Sequence, residues 1–331
     1  MNISMKNLFR LTLLCFVALF SMSNIGYAQT NNWPNKVIKI VVPFAPGSFT
    51  DTAARVIGAE ITKHTGQTVI IENKGGAGST LGTDAVAKSA PDGYTFLLTD
   101  NSFAVSTALY EKLPYQPLKD ITPVSLVADA PAVLVGRLNL PQKNLKEIVQ
   151  AARSNPNGFN YGSGGIGSSA HLAMEAFLVQ NNLKMTHIPF KGIASAIVDV
   201  VADRVDLAIG SVGSTAPFIR DGKLMGVAIS GNQRHPLFPQ VPTFAQAGFP
   251  NYKMTYWFGV LAPTGTPNDI IEKMHQEIVH AIQTPQVIEV FKNAGVNPTS
   301  NSPAEFSKMI RDESTMWSDI IKKSDIKANL N

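Results

Sequence analysis

The strongest constraint on this chain is an alternation in which short β-branched runs give way, again and again, to longer stretches with apolar residues at helical spacing. That is the pattern of βα units and parallel sheets. Val37 to Val42 reads as a first buried strand, and Pro43 to Phe49 ends it as a Pro/Gly/Ser loop. Thr50-Asp51 is expected to cap a helix whose Ala53, Ala54, Ile57 and Ile61 share one face. Thr68 to Glu72 is the next strand, Asn73 to Thr80 a glycine-rich turn, Leu81 to Ser89 a helix, and Tyr94 to Leu98 the third strand.

Beyond Pro114 to Pro123 the pattern changes. Val124 to Ala128 and Ala132 to Val135 are extended apolar runs joined by Asp129-Ala130-Pro131. A second βα series follows: helices over Leu145 to Ser154, Ser168 to Val179 and Ile193 to Val201, and strands at Phe159 to Tyr161, Met185 to Ile188, Val205 to Ile209 and Val227 to Ser230. Another long extended run, Tyr252 to Leu261, precedes helices near Asn268 to Ile282 and Ser302 to Ile321. Two βα series joined by two long crossings predict a hinged α/β clamshell of two lobes, with its ligand in the cleft. The first lobe would comprise residues 29–127 and 257–331, and the second 128–256. No repeat of 20 to 50 residues is visible.

Of the 331 residues, 44% are hydrophobic and 16% charged, an ordinary globular composition. The one long uncharged apolar stretch, Leu11 to Phe20, is about half of what a bilayer crossing needs, which excludes a polytopic membrane protein. Lys6 and Arg10 precede it and Gly26-Tyr27-Ala28 follows, so residues 1–28 read as a cleaved export signal, the alternative being an N-terminal anchor helix. The single cysteine, Cys15, would leave with the signal. The exported chain would then have neither a disulfide, nor a thiol nucleophile, nor a thiolate metal site. Losing Lys6 and Arg10 also lowers the formal net charge of +4 by two. Nucleic acid is not an expected partner, because no cluster of Lys or Arg interleaved with aromatics occurs.

In parallel α/β sheets, ligands sit beyond the carboxyl ends of strands, where helix N-termini offer N–H groups and a positive dipole. Here those loops are Pro43 to Asp51, Thr99 to Ser102, Gly162 to Ser169, Pro189 to Gly192 and Gly210 to Thr215. They are rich in Gly, Ser and Thr and nearly free of charge, which suits a carboxylate held by N–H groups and hydroxyls. Capping alone would also use such residues. Gly162-Ser163-Gly164-Gly165-Ile166-Gly167 matches the dinucleotide fingerprint in form, but no acidic residue ends the following strand, Met185 to Ile188, and no cofactor is expected. Neither a G-x-S-x-G elbow, nor H-E-x-x-H, nor a P-loop occurs. A Ser163, His171 and Asp51 set can be written on paper only, and the histidines show no metal-binding spacing.

Pro43-Phe44, Gly47 and Thr50-Asp51, then Glu72-Asn73-Lys74-Gly75-Gly76-Ala77-Gly78 and Ala90-Pro91-Asp92-Gly93-Tyr94, together resemble the tripartite tricarboxylate transporter substrate-binding proteins, the Bug receptors. The likeness continues through Leu113-Pro114-Tyr115, Asn160-Tyr161-Gly162-Ser163, Ser168-Ser169-Ala170-His171, Pro189-Phe190-Lys191-Gly192, Val241-Pro242-Thr243 and Leu261 to Pro267. It implies a monomeric, two-lobe periplasmic binding protein of the Venus flytrap type that captures an organic acid, without catalysis, and delivers it to membrane transporter subunits. It also implies a carboxylate gripped by the first loop and by the second-lobe loop. The candidate ligand residues are therefore Phe44, Gly47, Ser48, Phe49, Thr50, Asp51, Ser102, Ser163, Gly164, Ser168, Ser169, Lys191, Gly192 and Ser211.

Two departures bear on the ligand. Where relatives carry glycines in the first loop, this chain has Ser48-Phe49, and Phe49 could line the pocket against an aromatic body or pack on Trp257 or Tyr256. Gly210-Ser211 stands where many relatives have an acidic or amide pair, which argues for a non-amino acid ligand. A ligand sensor for a signalling kinase on the same fold, and a secreted hydrolase using Ser48, Ser163 or Ser168, are the alternatives.

Overall fold

The computed structural model describes residues 33–110, 112–324 and 326; the expected export signal, residues 1–28, lies outside them. The chain to Asn35 is one unit, in which the Trp33–Pro34 peptide bond is cis, and the chain from Lys36 onward is another.

The first strand, β1 (Ile38–Val42), is apolar but for Lys39, which pairs with Glu72, because it runs parallel between β2 (Val69–Asn73) and β3 (Thr95–Asp100), with helices over the sheet. Between β1 and β2 lies α1 (Phe49–Thr65). Its N-cap is Ser48, whose Oγ accepts the Asp51 N–H, rather than the Thr50-Asp51 pair expected to cap it; Gly66, at φ +73°, ends it. Ala53, Ala54, Ile57 and Ile61 are buried, as their spacing predicts. A single 3-10 turn (Ala77–Ser79) then leads into α2 (Thr80–Ala87).

Helix α3 (Ser102–Leu109) directly follows β3, where only a loop was expected. Its residues are buried nearly all round, so it lacks the polar face that makes a surface helix visible in sequence. The two extended runs around Pro131 are one strand, β4 (Ile121–Gly136), with bulges between Pro123 and Ser125 and between Leu126 and Ala128. Up to Pro131 it pairs with β9 (Thr255–Pro263); from Ala132 it pairs with β7 (Leu207–Ser211). The proline falls where the ladder changes partner, so its missing N–H leaves no gap in either half.

The second series runs α4 (Leu145–Ser154), β5 (Asn160–Ser163), α5 (Ser169–Asn181), β6 (Thr186–Pro189), α6 (Ile193–Val201), β7, α7 (Val212–Arg220) and β8 (Met225–Ile229). After β9 come α8 (Asn268–Ile282), α9 (Pro285–Ala294), β10 (Asn297–Pro298) and α10 (Pro303–Ser324). Helix α7 was expected as loop, since Gly213 and Pro217 lie within it, and α9 was not expected at all. The described strands follow the order β2-β1-β3-β9-β4-β7-β5-β6, with β8 and β10 also on β4. The chain thus leaves the first half of the sheet along β4 and returns along β9. The C-terminal helices α8, α9 and α10 pack back on α1, α3 and β4. No helix among the described residues is long and apolar enough to cross a membrane.

Candidate functional site

Where the two halves of the sheet meet, a small cavity of about 20 Å³ is lined by Phe44, Ser48, Thr50, Asp100, Gly164, Ser168, Ser169, Ala170, Ile193, Gly210, Ser211, Ser214, Tyr256 and Phe258. The N-termini of α1, α5, α6 and α7 converge on it, each bringing unpaired N–H groups and the positive end of a dipole. Ser48 caps α1 and Ser168 caps α5, accepting from Asp51 N and His171 N, both at 3.2 Å. A hydroxyl that accepts a cap bond keeps its own proton to donate. No Lys, Arg or His is among the lining residues. Such an arrangement can hold an anion through dipoles and hydroxyls without a buried cation whose desolvation must be overcome, and the buried Asp100 carboxyl is the one acidic side chain of the lining.

Of the fourteen candidates, the lining holds Phe44, Ser48, Thr50, Gly164, Ser168, Ser169 and Ser211. The others support it from behind. Asp51 is buried under the first loop, where it accepts from Gly47 N, Asn73 Nδ2 and Arg55. Burial would raise its pKa, but these bonds and the Arg55 charge outweigh it and hold the carboxyl below its usual range. Asn73 also donates to Phe44 O at 3.1 Å, so the pair fixes the loop's backbone. Ser102 is fully buried and its Oγ accepts the Ser169 N–H at 2.9 Å, joining α3 to α5. Lys191 is exposed and Gly192 caps α6 from outside the cavity wall.

Phe49 corrects the expectation that it shapes the pocket. Only 2% exposed, its ring packs edge-on against Phe258 and Phe291, centroids 4.7 and 5.1 Å away, and a Cβ on Gly213 would lie 2.6 Å from it. It is a core residue joining α1 to β9, α7 and α9, and it touches neither Trp257 nor Tyr256 in ring stacking. The argument for an aromatic ligand body loses its support with it.

Ser163 is also fully buried and off the cavity. Its Oγ lies 2.6 Å from His187 Nε2 and accepts the Gly165 N–H, which sets the turn of the second-lobe loop. His187 stacks with Tyr161 and with His171, at 4.9 and 4.0 Å, and those two rings lie 6.3 Å from each other. Burial pushes the two imidazoles down, His171 to about 3 with the nearby His187 adding to the effect, and His187 to about 4. They are therefore neutral near pH 7, and His171 Nδ1 accepts the Gly167 N–H. The Ser163, His171 and Asp51 set is not assembled: Asp51 is engaged with Arg55 and Asn73 in the other half. Among the described residues, no group of three His, Cys, Asp or Glu side chains is placed to hold a metal ion.

Three polar lining residues were not among the candidates: Asp100, at the end of β3, Ser214, on α7, and Tyr256, on β9. Asp100 accepts from Ser102 N and from Ser169 Oγ, both at 2.9 Å. Its burial raises its pKa, against those bonds. A position just after a strand was the available signal for Asp100. None existed for Tyr256, which reaches the cavity only because β9 pairs with β3, more than 150 residues earlier in the chain.

The halves also touch around the cavity. Tyr110 Oη donates to Ile166 O at 3.0 Å, Phe49 N donates to Ser214 Oγ at 3.3 Å, and Gly78, at φ +59°, lies so close to Ile166 O that a Cβ would sit 2.3 Å from it. The glycine-rich segment of the first half thus closes on the ligand loop of the second.

The pattern of TctC, the Tripartite tricarboxylate transporter family receptor, matches residues 53–326. BugT of Bordetella pertussis is 35% identical over 320 residues, 95% of this chain and 98% of that protein. Among solved structures, MatC from Rhodopseudomonas palustris with bound malate is 32% identical, with a TM-score of 0.84 over 87% of this chain and 100% of the other. R. palustris Rpa4515 with adipate is 30% identical, with a TM-score of 0.85 over 89% and 99%. The two-lobe α/β fold, the cavity of helix N-termini between its halves and these matches together make this chain a member of the tripartite tricarboxylate transporter receptor family, the Bug receptors.

Proposed function

We propose that this chain is a periplasmic receptor that captures a small, non-amino organic carboxylate and hands it to the membrane subunits of a tripartite tricarboxylate-type transporter. The observation that carries the reading is the cavity lining: hydroxyls and helix N-termini from both halves of the sheet, with no basic side chain. Relatives of the same fold hold malate and adipate, both small carboxylates, which supports the same ligand class for this cavity. The lobes we assign are residues 29–127 with 257–331, and 128–256, hinged along β4 and β9. A ligand stabilises the closed form only through contacts to both lobes, and Ser48 and Thr50 on one side with Ser168, Ser169 and Ser211 on the other supply them. The export signal at residues 1–28 would direct the chain to the periplasm as a monomer.

The test is a thermal-shift screen of protein stripped of ligand by unfolding and refolding, against citrate, C4 to C6 diacids, monocarboxylates, aromatic acids, glutamate and aspartate. An acid at about 100 times its Kd should add roughly 2.7 kcal/mol to stability and raise Tm. If no acid in the panel raises Tm, the carboxylate reading fails.

A further inference from the structure

We propose that a second groove between the halves binds an amphipathic carboxylate of the fatty acid class, an unbranched acyl chain with an anionic head, at a site separate from the serine-lined cavity. The groove, of about 520 Å³, lies between the turn that follows β8, at residues 233–237, and the end of α9 with β10. Small-molecule sites commonly span roughly 300 to 1,000 Å³. It shares no lining residue with the serine-lined cavity.

The body of the groove is apolar and its charge is of one sign. Leu237 and Ile288, from opposite halves, remain 39% and 43% exposed, with Val296 buried between the walls. His235 ties those walls together: Nδ1 accepts the Leu237 N–H, so Nε2 carries the proton and donates to Gly295 O at 3.0 Å. Burial outweighs that bond and holds the imidazole below its ordinary pKa, which leaves the ring neutral near pH 7. The charges of the lining are therefore those of Arg234 and Lys292, and no Asp or Glu is among the lining residues. Arg234 donates to two neutral acceptors, Gln246 Oε1 and Pro239 O, and neither cation has an ion-pair partner among the described residues. Asp129, which Asn297 Nδ2 engages, does not line the groove.

An acidic peptide would match the charge as well, but it would bring backbone N–H and C=O groups that need partners of their own. The groove supplies few. Pro236 and Pro298 have no N–H, the Leu237 and Val296 N–H groups go to His235 Nδ1 and Phe291 O, and Gly295 O is taken by His235 Nε2. An acyl chain asks for no such bonds. Its CH2 groups would lie along Leu237, Ile288 and Val296, and its carboxylate would meet Arg234 and Lys292, whose aliphatic stems extend the apolar walls.

The test is titration calorimetry of the protein with hexanoate, octanoate and decanoate, each below its critical micelle concentration. Binding should be one to one and should tighten by about two- to fourfold per added CH2, up to the full value of a buried methylene. Decyltrimethylammonium, with a chain of the same length and the opposite charge, should not bind. Lys292→Glu and Ile288→Asp change exposed side chains, so the fold survives both, as an unchanged Tm would show. Each should weaken decanoate at least about tenfold, because one turns an attraction into a repulsion and the other sets a carboxylate in the path of the acyl chain. No saturable binding of decanoate, equal binding of the cationic analogue, wild-type affinity in both variants, or displacement of decanoate by malate or adipate would each overturn the inference. So would tighter binding by a peptide of alternating Leu and Glu, which would make the groove a docking surface for protein. All of these outcomes leave the carboxylate reading of the serine-lined cavity standing, since the small acids test that separately.

Discussion

Replacing Gly78 with alanine separates what the fold needs from what closure needs. The residue is left-handed at φ +59°, a conformation that costs an alanine about 1 kcal/mol whether or not a ligand is present. The added Cβ would also lie 2.3 Å from Ile166 O, 3.0 Å from Gly167 C and 3.2 Å from Ser168 N, all backbone atoms of the opposite half. The first of these must retreat by more than an ångström to reach ordinary contact, which begins at 3.4 Å. Ile166 O is held by Tyr110 Oη at 3.0 Å, so its retreat also weakens a hydrogen bond with a net value of about 1 kcal/mol. Overpacking of this kind typically costs about 1 to 3 kcal/mol. The strain lowers stability in every state, whereas the clash and the lost bond arise only when the halves meet. Calorimetry with the tightest-binding acid should show affinity reduced by about 30-fold or more, equivalent to about 2 kcal/mol. Melting without ligand should show only the smaller loss. Wild-type affinity in Gly78→Ala would refute the idea that this seam closes over the ligand.

Other substitutions test separate links. Ser168→Ala removes both the α5 cap and a cavity hydroxyl: Tm should fall by the equivalent of about 1 kcal/mol, and binding should weaken by about 1 to 3 kcal/mol. Phe49→Ala should destabilise by about 3 to 5 kcal/mol in urea unfolding, as expected for a buried ring; a loss below about 1 kcal/mol would return it to the pocket wall. His171 and His187 have folded pKa values near 3 and 4, below the usual 6.5, so the unfolded chain binds more protons across that window. Their contribution to stability is therefore complete above about pH 6.5 and lost as pH falls toward 3. Asp100, Glu175 and Glu313, raised by burial, act in the opposite sense, so the decisive quantity is the difference between wild type and His171→Gln. The variant should lose less stability between pH 6.5 and 4; parallel curves would mean that His171 does not titrate in this window.

Much of the architecture was legible because it is local. Helices α4, α6 and α8 begin and end where periodicity and caps put them, and β1 declares itself by continuous burial. The elements that escaped, α3, α7 and α9, lie where burial on several sides, or Gly213 and Pro217, blurred the helical stripe. At the site, the loops that start α1 and α5 could be read, but the cap of α1 was placed at Thr50-Asp51 and not at Ser48, whose Oγ takes the Asp51 N–H three residues on.

What the sequence determined by itself is the alternation of elements, the two crossings, the neutral chemistry of the loops and, through its motifs, the family. Tertiary structure decided which of those loop residues line the cavity. Phe49 follows Ser48 by one position, yet it turns into the core because Phe258, Phe291 and Gly213 leave a ring-sized space there. Asp100 and Tyr256 meet at the cavity only because β3 pairs with β9. The direction of a side chain at a helix start depends on what packs against it from distant segments, and only the folded sheet brings those segments together.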